Sequence, residues 1–379
     1  MACEQPGIVF DGEFWFEALC GSDSHTSSSI KIIMIRIDNI EIKNFKSIRD
    51  AKIKDCKRVN IFIGYPNVGK SNILEAIGTL TFIRQKRPTG LKGLVRFDKF
   101  TQLFNYSNIN NPALIEFNDN YSLAIKYQDE DVVDFQLLNN DNENHGLFGL
   151  TVGNETLHSG STDNIDDFSG RFKELANLNV KPYKFSDSKI YDKSFSALEL
   201  NIPFGKNMFE VIINNHELRK EFTELLKPYE LDLIIDASTN DIKISHRVKD
   251  GVINTIPISL IADTLIRLVF FKTALISNKK SVLLFEEPEA HMFPPYIAKF
   301  TADIIYDKND NQYFIATHSP FVLNDFMEDM DKEDLSIYVV GLKDGETVVR
   351  RLKDEEITEI YQYGIDLFFN LENFLKDAV

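Results

Sequence analysis

The chain has 379 residues, 43% of them hydrophobic and 26% charged, which is typical of a soluble globular protein with one large or two moderate domains. Its net charge of −16 excludes a surface that attracts nucleic acid by bulk charge, so such contact must use a local basic patch. Cys3, Cys20 and Cys56 have no metal-ligand spacing and are an odd number for a disulfide framework. With no transmembrane-length apolar run and no signal-peptide pattern, we expect a cytoplasmic protein.

The first segment, residues 1–33, differs from the rest of the chain. It mixes aromatic and acidic residues and then becomes a polar SDSHTSSS tract, which predicts a disordered arm or a misplaced start; an ordered extension is the alternative. Alternating apolar residues follow from Ile35 to Ile63 and predict two or three short strands.

The stretch from Val59 to Thr81 predicts a strand, a glycine-rich loop and a helix. An apolar run ends at Gly64, and helically spaced apolar residues follow the segment GYPNVGKS. Two glycines, Gly64 and Gly69, let successive backbone N–H groups face one anion at a helix N-terminus. Lys70 reaches the β- and γ-phosphates in such a loop, and the Ser71 hydroxyl binds Mg²⁺. The alternative is a chance turn, but the full G-x-x-x-x-G-K-S spacing favours nucleotide binding.

A basic run follows the loop helix, and it is the strongest candidate in this acidic chain for a DNA-facing or phosphate-facing patch; a solvated loop is the alternative. The basic residues are Arg84, Lys86, Arg87, Lys92, Arg96 and Lys99. Beyond them, short alternating runs such as LIEF, YSLAIKY and VVDFQLL predict antiparallel hairpins. Residues 207–227 predict one helix that Pro228 ends.

The last third returns to alternating helices and strands. Residues 262–277 predict a helix, and the buried strands SVLLF and QYFIA run into Glu286-Glu287 and His318 respectively. Parallel strands carry such sites at their carboxyl ends. Transfer of a phosphoryl group to water needs a metal site, a base and a γ-phosphate contact. Glu286, Glu287 and His318 fit these roles in that order. Each alone is more typical of a solvated strand end or of a packed or surface histidine, but their occurrence together with the phosphate loop favours the catalytic roles.

Four segments, IKNFKSI, GYPNVGKSN, LLFEEPEAHMFP and ATHSP, together resemble the head-domain ATPases of the ABC superfamily. The likeness is to the branch that includes SMC proteins, RecF and the OLD-type nucleases, whose members are classed as AAA-type (AAA_15/AAA_21) ATPases. Within this branch the chain resembles a stand-alone bacterial form, and the resemblance covers residues 34–379. OLD-type nucleases carry a further Toprim domain. Here about sixty residues follow His318, which are too few for another domain of usual size.

The resemblance implies a set of functional residues. The Walker A loop would comprise Gly64, Asn67, Gly69, Lys70, Ser71 and Asn72. Glu286 would be the Walker B acid that holds Mg²⁺ with Ser71, Glu287 the catalytic carboxylate, and His318 the switch histidine. The D-loop region would be Glu289, Ala290 and His291, and the signature would be Ser259 to Thr264, with Ser259 contacting nucleotide. Gln102 is the candidate Q-loop residue and metal ligand.

Two departures from the family pattern bear on mechanism. The Walker B acid is usually Asp, so Glu286 shifts any metal contact by one methylene. Residues 259–264 also lack the glycines through which a signature approaches the γ-phosphate of a partner subunit.

The resemblance implies an α/β P-loop fold with a mixed or parallel core sheet, an antiparallel β subdomain and a helical signature subdomain. We expect an N-terminal lobe at 34–130, an inserted subdomain at 131–258 and a C-terminal lobe at 259–379. The implied function is an ATPase with ATP and Mg²⁺ as cofactors and a dimer that forms on ATP. It would act in DNA maintenance or antiphage defence with a separate effector or DNA. The alternatives are a nucleotide-gated assembly protein with negligible turnover and a transporter motor subunit.

Overall fold

A computed structural model describes residues 34–83, 91–130, 132–139, 144–151, 157–158, 175–186, 198–236, 241–246 and 254–376. The expectations for residues 1–33 and for Arg84, Lys86 and Arg87 lie outside these ranges. None of the helices in the described ranges combines the length and apolar character needed to cross a bilayer.

The strands are β1 (Ile40–Phe45), β2 (Ile48–Ile53), β3 (Val59–Ile63), β4 (Ala113–Phe117), β5 (Tyr121–Asp129), β6 (Val132–Asn139), β7 (Asn144–Thr151), β8 (Leu157–His158), β9 (Val180–Tyr183), β10 (Leu231–Asp236), β11 (Asp241–His246), β12 (Thr255–Pro257), β13 (Val282–Glu286), β14 (Gln312–Ala316), β15 (Leu335–Lys343) and β16 (Glu346–Arg351). The α-helices are α1 (Lys70–Thr79), α2 (Leu91–Leu94), α3 (Met208–Asn214), α4 (His216–Leu226), α5 (Asp263–Ser277), α6 (Pro294–Ile305), α7 (Pro320–Asp329), α8 (Asp354–Tyr363) and α9 (Leu371–Leu375).

The central sheet has the strand order β16-β15-β3-β14-β13-β9. Its five strands from β15 to β9 are parallel to their neighbours, and β16 pairs antiparallel with β15 at one edge. The strand leading into the phosphate loop, β3, is therefore central and fully buried. The carboxyl ends of β3, β13 and β14 lie at the same edge, as the sequence predicts.

The side chains of the central sheet enter two separate apolar cores. Alternate residues of β3 show the division, because Val59, Ile61 and Ile63 belong to one core while Phe62 belongs to the other. The first core includes buried residues of α3 to α7, and the second packs α1 against the antiparallel sheet β2-β1-β4-β5-β6-β7-β8. Burial on both faces explains why the central strands are almost continuously apolar.

One prediction for the middle of the chain was wrong in detail. The single helix predicted for residues 207–227 is two helices, α3 and α4, because Asn215 takes an extended conformation between them. Its side chain accepts a hydrogen bond from the backbone N–H of Leu218 at 3.1 Å and so caps α4. Farther along the chain, the short strand β12 pairs with β11 in a small antiparallel sheet with β10.

Candidate nucleotide site

The phosphate loop between β3 and α1 needs its two glycines for different reasons. A Cβ on Gly64 would lie 2.1 Å from the backbone oxygen of Val340 in the neighbouring strand β15. Gly69 has φ 104, in the region that favours glycine, and its Cβ would lie 2.2 Å from Thr347 Oγ1. Asn67 also has a positive φ, 63, which asparagine tolerates better than most residues. The loop conformation therefore depends on residues that the Walker A pattern supplies.

The Lys70 side chain is buried in this loop and bonds to its backbone. Its Nζ donates to the backbone oxygens of Gly64 at 2.9 Å and Tyr65 at 2.8 Å. Burial lowers the pKa of Lys70 to about 8, although the negative charges of Glu287 and Glu286 act in the opposite direction. A buried ammonium group that is held only by carbonyl oxygens is well suited to receive an anion.

The first turn of α1 packs against the turn between β1 and β2. Asn72 Nδ2 donates to Ser47 Oγ at 2.7 Å, and the Ser47 and Thr347 hydroxyls lie 2.7 Å apart. These two hydroxyl oxygens are also the polar atoms that a Cβ on Gly69 would meet. Ser71, at the second position of α1, is partly exposed.

The carboxyl ends of β13 and β14 place an acid and a histidine side by side. Glu287 has φ 43, and its N–H donates to the oxygen of Ala316, the last residue of β14, at 2.8 Å. The Glu287 Oε1 and His318 Nε2 atoms are 3.5 Å apart. Burial and the charge of Lys70 lower the pKa of His318, against the effect of Glu287, and this favours the neutral imidazole.

A second carboxylate holds the histidine segment in place. Glu289 is only 8% exposed, and its Oε1 accepts hydrogen bonds from Thr317 Oγ1 at 2.6 Å and His318 N at 3.1 Å. Burial raises the pKa of Glu289. In the same region Ala290 is half-buried and His291 is exposed, and the His291 oxygen accepts from Thr264 Oγ1 at 2.8 Å. The proposed D-loop and signature segments thus touch.

A charge cluster around one buried acid, which the sequence analysis missed, connects α1 to Glu286. It consists of Glu75, whose side chain is 1% exposed, and three cations, Lys46, Arg96 and Lys184. Burial alone would raise the pKa of Glu75, but the charges of Lys184, Lys46 and Arg96 outweigh burial and lower it. Arg96 also donates from Nη2 to Glu286 Oε1 at 3.0 Å. An acid on the otherwise apolar face of α1 was the available signal.

Three other residues that were predicted to contact metal, nucleotide or DNA have no described contact with the phosphate loop. The amide oxygen of Gln102 accepts from the backbone N–H groups of Asp98 at 2.8 Å and Lys99 at 3.3 Å, so it caps a short 3-10 helix. Ser259 lies in the 3-10 helix Ile258–Leu260, before α5. Lys92 is exposed in α2. The roles of these residues as metal, nucleotide and DNA contacts remain predictions.

The donor set fits Mg²⁺ beside the phosphate loop. The Glu286 carboxylate and the Ser71 hydroxyl are hard oxygen ligands of the type that Mg²⁺ binds together with phosphate oxygens. Glu286 already contacts one cationic group, the guanidinium of Arg96, so its surroundings accommodate positive charge.

The chain matches the family described as "AAA domain, putative AbiEii toxin, Type IV TA system" over residues 59–324, which is most of its length. An "ATP/GTP phosphatase" of Helicobacter pylori is 22% identical over 378 residues, which cover 89% of this chain and 98% of that protein. The DNA replication and repair protein RecF of Lactococcus lactis is 40% identical over 63 residues, but these are 17% of this chain and 18% of RecF.

Solved structures similar to this chain include SMC heads. One head, bound to the C-terminal winged-helix domain of ScpA, gives a TM-score of 0.51 at 16% identity and covers 86% of this chain and 99% of that one. A Pyrococcus furiosus head gives 0.51 at 14% identity, with 86% and 98% covered. At identities this low, structural similarity shows the fold alone. The similarity to these two heads confirms the predicted P-loop ATPase-head fold.

Proposed function

Because the chain belongs to this family of AAA domains and has the fold of an SMC/RecF-like ABC ATPase head, we propose that it binds and hydrolyses ATP with Mg²⁺. The observation that carries the proposal is the Glu287–His318 pair, with its 3.5 Å separation, next to Lys70. The Helicobacter pylori relative, described as an ATP/GTP phosphatase, supports the same chemistry.

Each residue of the site has one task in the proposed reaction. Lys70 exchanges its two carbonyl contacts for the β- and γ-phosphates, and the N–H groups of the loop and of α1 bind the remaining phosphate oxygens. Glu286 and Ser71 would hold Mg²⁺, which neutralises charge on the phosphates when it is bound.

The hydrolytic step depends on the pair at the ends of β13 and β14. The Glu287 carboxylate takes a proton from the water whose oxygen bonds to the γ-phosphorus, while the bond from that phosphorus to the β–γ bridging oxygen breaks and ADP leaves with the bridging oxygen. The His318 imidazole donates a hydrogen bond to the γ-phosphate. Glu289 keeps His318 in place by accepting a hydrogen bond from the backbone N–H of His318.

We further propose that two copies close around ATP and separate after hydrolysis, and that an effector protein or DNA responds to this cycle. The family description, which names a toxin of a Type IV TA system, supports a role in defence with a separate component. The similarity to RecF, a DNA replication and repair protein, supports a role in DNA maintenance. The similarity to an SMC head that binds ScpA supports a protein partner.

Light scattering and phosphate release on the Glu287→Gln variant test the proposal. The variant should shift from monomer to dimer only with Mg-ATP, because it retains ATP. It should release phosphate at least about a hundredfold more slowly than the wild-type protein, because it lacks the base. Adding Lys70→Ala should prevent the dimer, since the phosphate contact is lost.

Two results would change this assignment. A mass that is indifferent to ATP would contradict the dimer switch. Wild-type turnover no faster than that of Glu287→Gln would instead favour a nucleotide-gated assembly protein with negligible turnover. The absence of glycine from residues 259–264 is the observation that favours this second candidate.

A further inference from the structure

Arg96 is bonded to the carboxylate that is proposed to hold Mg²⁺. Its Nη2 donates to Glu286 Oε1 at 3.0 Å, and its Nε donates to Glu75 Oε1 at 2.7 Å. Within the described ranges, this guanidinium is the one cation that forms an ion pair with Glu286. The acid assigned to the metal is therefore already paired with a positive side chain.

The Glu75 cluster fixes the main chain of Arg96 but leaves its guanidinium accessible to water. The backbone N–H of Arg96 donates to Glu75 Oε1 at 3.3 Å, and its backbone oxygen accepts from Lys46 Nζ at 3.0 Å. The Glu75 side chain is 1% exposed, whereas 61% of the Arg96 side chain is exposed. Different nitrogens of Arg96 bind the two acids, so the bond to Glu286 can be lost while the bond to Glu75 is kept.

The length of the Glu286 side chain makes this contact possible. An aspartate, which the resemblance leads us to expect at this position, would retract the carboxylate by ~1.5 Å, the length of a carbon–carbon bond. The 3.0 Å contact with Arg96 would then exceed the range of a hydrogen bond. The departure from the family pattern at Glu286 and its bond to Arg96 are thus two parts of one feature.

We propose that Arg96 competes with Mg²⁺ for Glu286 and so sets how strongly ATP binding depends on the metal. The proposal rests on the nucleotide and metal binding proposed above and adds a residue that controls them. Arg96 must release Glu286 before a metal ion can use that carboxylate. The apparent metal affinity is therefore the intrinsic affinity multiplied by the fraction of molecules in which the pair is open. A pair that is closed in about four of five molecules weakens metal binding about fivefold.

Calorimetry of ATP binding with Mg²⁺ and with EDTA tests the competition, in proteins that all carry Glu287→Gln to slow turnover. The ratio of the two affinities, which we call the metal gain, should rise about fivefold in Arg96→Gln, because Glu286 is then unpaired. Electron paramagnetic resonance of Mn²⁺, used in place of Mg²⁺, should show the same rise in metal affinity.

Glu286→Asp provides a second route to the same open pair and leaves the Glu75 cluster intact. This variant alone should also raise the metal gain, since aspartate is still a metal ligand. In its background, where the bond to Arg96 is already lost, Arg96→Gln should change the metal gain less than about twofold, because the two changes remove one interaction.

Lys46→Gln is the matched control, because Lys46 pairs with Glu75 at 2.6 Å and has no bond to Glu286. Lys46→Gln and Arg96→Gln should both lower stability to urea, but only Arg96→Gln should raise the metal gain. An unchanged metal gain in Arg96→Gln and Glu286→Asp, or an equal rise in Lys46→Gln, would overturn the competition while the proposed ATP binding stands. A full rise from Arg96→Gln in the Glu286→Asp background would also overturn it. A protein with Arg96 and Glu286 intact that binds ATP under neither condition would overturn both proposals.

Discussion

Lys70 combines deep burial with contacts only to carbonyl oxygens, and this combination predicts a proton change on ligand binding. Near pH 8, about its pKa, a large part of the lysine is uncharged. A triphosphate favours the ammonium form and raises the pKa, so binding should take up on the order of half a proton at pH 8. Affinity for ATP should therefore fall as the pH rises above about 8. Calorimetry in buffers of different ionisation enthalpy measures the uptake.

Lys70→Arg provides the control for this prediction. The guanidinium stays charged at every pH in the experiment, so the variant should bind ATP without the proton uptake near pH 8. Uptake of the same size in Lys70→Arg would assign the proton to another group and contradict the role given to Lys70.

At the scale of elements, the Glu75 cluster joins α1, the turn after β1 and the segments that carry Arg96 and Lys184. Glu75→Gln leaves Lys46 and Lys184 without their carboxylate in a largely buried setting. We expect the free energy of unfolding to fall by about 3 kcal/mol, as when one partner of a buried pair is removed. Urea denaturation followed by circular dichroism measures the change.

Glu116→Gln is the matched control for the cluster. Glu116 pairs with Lys43 at 3.1 Å, but both side chains are 35% exposed, so its loss should cost less than about 1 kcal/mol. Equal costs for the two variants would show that the Glu75 cluster stabilises the fold no more than a surface ion pair.

The sequence predicts the elements of the central sheet that have a periodic or motif signal. The apolar runs of β3, β13 and β14 and the glycine spacing of the loop were sufficient to place the site at one sheet edge. β9, with the sequence VKPY, was not predicted because four residues with a lysine and a proline show no alternation. Thr347 could not be placed beside the loop either, since its position depends on the long-range pairing of β15 with β3 and of β16 with β15.

At the scale of the whole molecule, the net charge of −16 opposes DNA binding, and this makes the basic run after α1 a sharp test. Each phosphate contact contributes about 0.9 to the slope of log affinity against log salt. Changing Arg84, Lys86 and Arg87 to Glu should therefore weaken DNA binding and reduce that slope by up to about three, measured by fluorescence anisotropy from low to moderate salt.

A second triple variant separates a local patch from bulk charge. Lys220, Lys279 and Lys308 are exposed in other parts of the chain, and changing them to Glu alters the net charge by the same amount. If the basic run contacts phosphates, this control should lower affinity slightly and leave the salt slope at its wild-type value, because screening of distant charges changes few bound counterions. Identical salt slopes for the two triple variants would mean that residues 84–87 act only through net charge. This result would contradict a DNA interface at the basic run.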